Sequence, residues 1–226
     1  MRDGKWAARA AAWELSALSF RYPEPALVEA VASGQWAEAA AELAAALGGD
    51  VPDDVEGMDA ASSADAFEHE LRVEATRLFV GSPRPACSPY EGIRRAQAEG
   101  ASPLLFVSKH AMEVERFCRE CGLKQPEGTN EPFDHVATEC ELLEFLAVCA
   151  SGTQGEGGEA ARETSGRAPA DVLAPDEAAR RYDAFMAEHA LTWMPRFCDD
   201  VRGEARHPFY RAAADFLAMV VVQAAR

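Results

Sequence analysis

The stretch Glu131-Pro-Phe-Asp-His-Val-Ala-Thr-Glu-Cys-Glu-Leu-Leu-Glu-Phe-Leu-Ala-Val-Cys-Ala150 decides the fold. Its apolar residues recur at helical spacing and cover most of the circumference of the predicted helix. A helix that is apolar on most sides is expected to lie at the centre of a helical protein. Pro132 fits the first helical position, where its missing N–H is not needed. Asp134 is predicted in the first turn, where a carboxylate meets free backbone N–H groups.

An acid and a histidine, Asp134 and His135, stand side by side where this central helix is predicted to begin. A polar pair at the entrance of the most buried helix is the best candidate site in the sequence. Such a pair could perform acid–base chemistry. The alternative is structural, with Asp134 capping the helix and His135 packing in its first turn. Helical spacing alone leaves both interpretations open.

The charge of the chain limits its classes of partner. The 226 residues are 48% hydrophobic, enough for a sizeable core. The 38 acidic against 22 basic residues give a formal net charge of -16. This charge argues against nucleic acid and anionic membranes as partners, because both are polyanions. It is compatible with a basic partner, or with a role in solubility alone.

The N-terminal residues 1–9 contain no hydrophobic signal core, and no apolar run is long enough to span a bilayer, so a cytoplasmic protein without stable membrane insertion is expected. Its six cysteines are then expected to be reduced. Cys118 and Cys121 form a CxxC pair near the end of a predicted helix. We interpret the pair as two partly buried small hydrophobic side chains rather than a metal or redox site. A zinc site would need two further ligands. No standard nucleotide-binding loop is present, and no cofactor is expected.

Helical periodicity and breakers predict an all-α protein, a single globular domain of roughly eight to ten helices. The predicted helices are 4–21, 25–33, 35–47, from a capping box at Ser62 to about Val80, from Ser102 to Cys121, the central helix, from a cap at Asp176 to about Ala190, from Leu191 to about Val201 with an interruption near Pro195, and from Pro208 onward. The proline-rich segment 81–90 is predicted to be a loop.

One segment divides this domain, 1–226, into two parts. Residues 151–170 are rich in small and charged residues and cannot support a packed core, so 151–175 is predicted to be a flexible linker. It joins the N-terminal and central helices, 1–150, to the C-terminal helices, 176–226. A long tether between two mutually dependent halves permits their exchange between chains. A monomer with a minor domain-swapped dimer is therefore expected.

Three further motifs accompany the central stretch along the chain. They are Glu70-Leu-Arg-x-Glu-Ala-x-Arg-Leu-Phe-Val-Gly81, Pro89-Tyr90-Glu91 and Phe185-x-x-x-His189-x-x-x-Trp193-x-Pro195-x-Phe197. The central stretch itself has the form Glu131-Pro-x-Asp-His-x-x-x-Glu-x-x-x-Leu-Glu-Phe145. Together the four motifs resemble, in the same order, those of the TorD/DmsD family of redox-enzyme maturation chaperones, which is related to the NarJ branch. The central stretch resembles the family's E-P-D-H-x(3–4)-E-L-x-F-M core, and Pro89-Tyr90-Glu91 resembles its P-Y-E-S loop. The chain departs from these patterns at Ala75, where an aromatic is usual, at Gly92, where the loop motif has Ser, and at the extra residue Phe133.

This resemblance implies an all-α, cytoplasmic, non-enzymatic chaperone. Members bind the twin-arginine signal peptide of a molybdenum-cofactor oxidoreductase catalytic subunit, and sometimes its body, and retain it until the cofactor is inserted. The peptide-binding residues implied by the resemblance are Leu78, Phe79, Tyr90, Glu91, Glu131, Pro132, Asp134, His135 and Trp193. A site with carboxylates beside apolar side chains suits a peptide in which arginines precede an apolar segment.

Two alternatives remain open. Within the family, the chain could assemble a nitrate-reductase-type enzyme whose client stays in the cytoplasm. From another class, it could be a small metal- or acid/base-dependent enzyme that uses Asp134 and His135.

Overall fold

The computed structural model describes residues 2–50, 63–81, 83–101, 108–123, 132–152 and 173–225. Over these ranges the protein is all-α, as predicted, and no strand forms. Its elements are α1 (Arg2–Phe20), α2 (Pro25–Ala32), α3 (Gln35–Leu47), α4 (Ala64–Ala75), π1 (Thr76–Val80), α5 (Glu91–Ala98), α6 (Lys109–Glu120), α7 (Val136–Ser151), α8 (Pro175–Phe185), π2 (Met186–Ala190), α9 (Leu191–Glu204) and α10 (Pro208–Ala224). The segments π1 and π2 are π-helical turns, π1 continuing α4 and π2 joining α8 to α9.

The predicted central helix, α7, lies at the centre of the fold. It packs along α1 on one side and against α8 on another, while α9 packs against α10. Ten of its sixteen residues are buried. Aromatic side chains fill much of the surrounding core, and the largest fully buried ones are Trp13, Trp36, Tyr182, Tyr210, Phe185, Phe197, Phe209 and Phe216. No helix in the described ranges is long and apolar enough to cross a membrane.

The predicted beginning of the central helix is wrong. α7 begins at Val136, and Pro132 to Asp134 form the approach to it rather than its first turn. His135 is the N-cap, and its Nδ1 accepts a hydrogen bond from the backbone N–H of Ala137 at 3.2 Å. Because the imidazole supplies the capping acceptor, the carboxylate of Asp134 is available to a different helix.

The helices on either side of residues 99–108 differ from the sequence predictions. The short helix α5 directly after Tyr90 was not predicted, because it is only eight residues long and carries a glycine in its first turn. The next helix does not run unbroken from Ser102, because Ser108 has an extended backbone and caps α6 by accepting a hydrogen bond from Ala111 N–H at 3.0 Å. Ser102 and Pro103 lie outside the described residues.

The C-terminal part also differs in detail from the sequence predictions. Asp176 lies inside α8, whose N-cap is Ala174, and α9 continues through Pro195 to Glu204 without the expected interruption. Pro208 begins α10 as predicted. Ser62 and most of the predicted linker lie outside the described residues, so the flexible linker and the exchange of halves stay predictions.

Candidate functional site

Two segments far apart in sequence pair where α5 and α7 begin. Val136 N–H donates to Pro89 O at 2.8 Å, and Glu91 N–H donates to Asp134 O at 2.9 Å. Between these two bonds, Tyr90 and His135 form an isolated antiparallel bridge, and their rings meet edge to face with centroids 5.2 Å apart. We call Pro89–Gly92 together with Asp134–Val136 the α5–α7 junction. It brings together Tyr90 and Glu91 of one motif with Asp134 and His135 of another.

Asp134 caps α5 rather than its own helix. Its Oδ2 accepts a hydrogen bond from the backbone N–H of Gly92 at 2.9 Å, while the N-cap of α5, Tyr90, provides no side-chain acceptor. Asp134 is buried, and among the described residues its Oδ1 has no hydrogen-bond partner. Burial raises the pKa of Asp134 to about 6, with a contribution from the nearby Glu91, although the Gly92 N–H acts in the opposite direction.

His135 is buried and uncharged at neutral pH. Burial lowers the pKa of His135 to about 3, and the positive charge of Arg21 contributes. Its Nδ1 is occupied by the helix N–H of Ala137, whereas Asp134 is bonded to Gly92. The two neighbouring side chains therefore cap different helices, Asp134 capping α5 and His135 capping α7.

Glu91 is the centre of a buried polar network. Its side chain is fully buried, and Arg95 Nη1 donates to its Oε1 at 2.6 Å. The Nδ1 of His189, on π2, lies 3.0 Å from Oε2 and 3.1 Å from Oε1. Because an ionised carboxylate only accepts hydrogen bonds, this Nδ1 carries a proton. Glu91 thus ties α5 to the π-helical turn between α8 and α9.

Glu139 and Trp193 form a second part of the network. Trp193 Nε1 donates to Glu139 Oε2 at 3.0 Å, and both side chains are buried. Burial raises the pKa of Glu139 well above its usual range, and the neighbouring Glu91 carboxylate adds to this. Sequence reasoning did not select Glu139, although its position on the same helical face as Val136 and Leu143 is the signal that could have identified it.

The remaining residues implied by the resemblance lie elsewhere. Leu78 and Phe79, on π1, pack in the core with exposed fractions of 0% and 9%. Phe79 contacts Phe20 and Tyr210 edge to face, and Phe197 lies between Phe79 and Trp193. Pro132 is half-buried, and Glu131 lies outside the described residues.

All six cysteines lie in the described residues and are buried there, without a disulfide between them. Arg181 Nη1 donates to Cys121 Sγ at 3.6 Å. Within the ranges the structure describes, no three His, Cys, Asp or Glu side chains lie close enough together to hold a metal ion. Cys118 and Cys121 are small buried side chains, as the sequence predicts.

Gly92 is required by the close approach of three segments at the α5–α7 junction. A Cβ at this position would collide with Ser108 Oγ and would lie 2.8 Å from Asp134 Oδ2. We expect Gly92→Ala to lower the free energy of unfolding by about 1–3 kcal/mol, because overpacking displaces the caps of both α5 and α6. Chemical denaturation measures the effect.

The matched control is Gly203→Ala on α9, where a Cβ meets nothing within 4 Å. In this exposed helical position alanine is expected to stabilise the protein by about 0.5–1 kcal/mol. Equal effects of the two substitutions would contradict the packing argument for Gly92.

Comparison with known proteins identifies the family. A family model described as "Nitrate reductase delta subunit", of the TorD/NarJ chaperone type, matches residues 30–199. The chain belongs to this family. Its resemblance to the TorD/DmsD chaperones, inferred above from four motifs, is confirmed. The family is non-enzymatic.

Curated relatives support the same assignment. The chain is 25% identical over 169 residues to the protein named Chaperone protein TorD of Vibrio cholerae serotype O1 (strain O395), covering 75% of this chain and 66% of the relative. It is 28% identical over 148 residues to Chaperone protein TorD of Photobacterium profundum, covering 66% of this chain and 59% of the relative. The chain thus spans slightly less than two thirds of the length of these relatives.

Proposed function

We propose that this protein is a cytoplasmic, system-specific chaperone for the catalytic subunit of a molybdenum-cofactor oxidoreductase. It binds the twin-arginine signal peptide and the apo form of that subunit, and it retains them for cofactor insertion before export. Membership of a TorD/NarJ-type family supports the general role. The observation that carries the peptide-binding part is the buried Oδ1 of Asp134, which has no hydrogen-bond partner among the described residues.

A peptide guanidinium supplies what this oxygen lacks. An N–H from a cationic donor to a carboxylate makes a charge-assisted hydrogen bond, which is stronger than a neutral one. The formal net charge of -16 also attracts a cationic peptide at long range and speeds its association. We assign direct contact to Tyr90, Pro132, Asp134 and His135. Because Asp134 and His135 are only 1% and 7% exposed in the described conformation, a guanidinium reaches them only when the α5–α7 junction opens.

The other proposed site residues have different parts in this binding. Glu91 and Trp193 point into the buried network and hold the junction in position. Leu78 and Phe79 supply the apolar surface for the hydrophobic segment of the peptide. Because both are buried in the described conformation, their contact with the peptide requires the proline-rich loop to move away from π1, to which it is tied by Cys87 N–H donating to Leu78 O at 2.7 Å.

Asp134→Asn is expected to weaken binding of a twin-arginine peptide by about 1–3 kcal/mol, because the amide still accepts the Gly92 N–H but has lost the charge. The affinity of the wild type should also rise as the pH increases through about 6, since the Asp134 carboxyl must ionise to bind a guanidinium. This rise should be absent in the variant. Calorimetry with the signal peptide at several pH values and salt concentrations tests both points.

Two controls accompany this measurement. Asp183→Asn on the exposed face of α8 makes the same change in net charge away from the junction, and it should leave the affinity almost unchanged. A peptide with lysines in place of the two arginines tests for the guanidinium. If Asp134→Asn binds as tightly as Asp183→Asn, with the same salt dependence, Asp134 does not contact the peptide.

The client is identified by affinity capture from the native cytoplasm. We expect recovery of a molybdoenzyme catalytic subunit that carries a twin-arginine signal. Capture of only unrelated proteins would count against the proposed function. A second candidate is assembly of a nitrate-reductase-type enzyme that stays in the cytoplasm, and the description of the matching family favours it. Recovery of a molybdoenzyme subunit without a twin-arginine signal would select this second role.

A further inference from the structure

Glu139 has a buried carboxyl that lies close to the carboxyl of Glu91. Among the described residues, no cationic side chain is bonded to Glu139. Its side chain is 0% exposed, and its single donor among the described residues is Trp193 Nε1, at 3.0 Å from Oε2. Its Oε1 has no hydrogen-bond donor within the part of the chain that the structure describes. Glu91, also 0% exposed, lies within hydrogen-bonding range of Glu139.

Two carboxylates in contact in a buried site cannot both be ionised at modest cost. Glu91 already accepts hydrogen bonds from Arg95 and His189, which stabilise its negative charge. Within the described part of the chain, the hydrogen-bond donor to Glu139 is the neutral indole N–H of Trp193. The two carboxyls therefore share one proton. This proton resides on Glu139, and the O–H of Glu139 is directed to Glu91.

We propose that Glu139 is a positioning residue for the peptide site. It holds the beginning of α5 in place, because its carboxyl O–H donates a hydrogen bond to Glu91. The connection to the site is short. The backbone N–H of Glu91 donates to Asp134 O at 2.9 Å, and the adjacent Gly92 N–H donates to Asp134 Oδ2 at 2.9 Å. A displacement of Glu91 therefore moves both N–H groups that hold Asp134, one bonded to its backbone carbonyl and one to its carboxylate.

The carboxyls that neighbouring elements bring near Glu139 favour its neutral form, whereas the N–H of Trp193 favours the ionised form. α5 contributes Glu91, to which Arg95 donates a hydrogen bond, and the turn before α7 contributes Asp134. Trp193 faces it from α9, and His189 on π2 reaches Glu91 instead. Cys118 of α6 and the adjacent Cys140 have thiols whose pKa values burial raises, with a contribution from Glu139, so both are neutral.

The protonated state has a measurable consequence for folding. Because burial and Glu91 raise the pKa of Glu139 in the folded protein, folding takes up a proton at pH values above the usual range of glutamate. This contribution to stability is complete at acid pH and decreases as the pH rises toward the folded-state pKa. Other buried groups contribute as well, so only the difference between the wild type and a variant at position 139 isolates it.

The test uses Glu139→Gln in the full chain. The amide retains an N–H for Glu91 and an oxygen for Trp193, but it cannot ionise. Above about pH 5, the ratio of the wild-type to the variant unfolding equilibrium constant should rise by up to about tenfold per pH unit. If this ratio is independent of pH between about 5 and 8, Glu139 does not hold the proton and the proposal is wrong.

Peptide affinity tests the positioning role, which rests on the proposed function. Glu139→Gln should bind the twin-arginine peptide within about twofold of the wild type, whereas Glu139→Leu, which has no donor for Glu91, should bind about tenfold or more weakly. Equal affinity of Gln and Leu variants would refute the positioning role. If Glu139→Leu does not fold, the pH dependence of the stability of Glu139→Gln decides whether Glu139 holds the proton. In that case, a peptide affinity of Glu139→Gln that is weaker than the wild type by well over twofold overturns the positioning role.

The proposed function and the proton shared by Glu139 and Glu91 are tested by independent measurements. A wild type that does not bind any twin-arginine peptide contradicts the proposed function. The pH-dependent difference in stability between wild type and Glu139→Gln would still establish the shared proton in that case, and its absence would still exclude it.

Discussion

Replacement of Glu74 by alanine is expected to lower the free energy of unfolding by about 3–5 kcal/mol, because it removes a buried carboxylate that accepts several hydrogen bonds and an ion pair. Glu74 is 6% exposed. Its two oxygens each accept a hydrogen bond from Arg77 at 2.9 Å, and Oε1 also accepts the backbone N–H of Arg206 at 2.6 Å. The carboxylate therefore joins α4 to the turn that precedes α10, and denaturant unfolding measures its contribution.

The pH dependence separates this role from general packing. Burial alone would raise the pKa of Glu74, but the bonds from Arg77 and Arg206 outweigh it and lower the pKa from 4.5 to about 2. The stabilisation is therefore complete above about pH 5 and is lost as the pH falls toward 2, an effect of about 3 kcal/mol. Glu74→Gln should lack this loss at acid pH.

Glu70→Gln is the matched control, because Glu70 is on the exposed side of the same helix. It should change stability by less than about 0.5 kcal/mol. If Glu74→Gln and Glu70→Gln unfold with the same dependence on pH, the bonds to Arg77 and Arg206 do not stabilise the folded protein.

The second large effect is expected for Glu91→Ala, again about 3–5 kcal/mol of unfolding free energy. This substitution removes the acceptor of Arg95 and His189 and also the partner of Glu139. The buried imidazole of His189 loses this acceptor, and its desolvation cost is larger than the value of a single hydrogen bond. Arg95 is partly exposed and still donates to Glu188 O. Thermal and denaturant unfolding should both show the loss.

Glu188→Ala provides the control for charge and location. Glu188 is next to His189 on π2, but its side chain is exposed. Its removal should change stability by less than about 0.5 kcal/mol. A loss for Glu91→Ala no greater than that for Glu188→Ala would show that the buried network is not a major source of stability.

Local sequence signals were sufficient for the central helix. The apolar positions from Val136 to Cys149 recur at helical spacing over several turns, and such a long pattern survives in almost any tertiary setting. The positions of Pro208 and Gly122 likewise mark the start of α10 and the end of α6, because caps act within one turn. The boundary at His135 was missed, since Asp and His can both supply a capping acceptor and only the surroundings select between them.

The motifs alone were enough to identify the family and to select the residues of the α5–α7 junction. Asp134, His135, Tyr90 and Glu91 were predicted as site residues, and they lie side by side in the fold. Their roles at the junction were not predictable in the same way. Asp134 caps α5, a helix that begins more than forty residues earlier in the chain. The capping bond joins Asp134 to Gly92, 42 residues away in sequence.

By itself the sequence determined the all-α class, the buried central helix and the family, because these depend on short-range periodicity and on residue order. Only the tertiary structure decided that Leu78 and Phe79 are core residues, that Asp134 serves α5, and that Glu139 lies against Glu91. Burial and the pKa of a carboxyl are set by neighbours from several helices. No local pattern specifies which of those helices will meet.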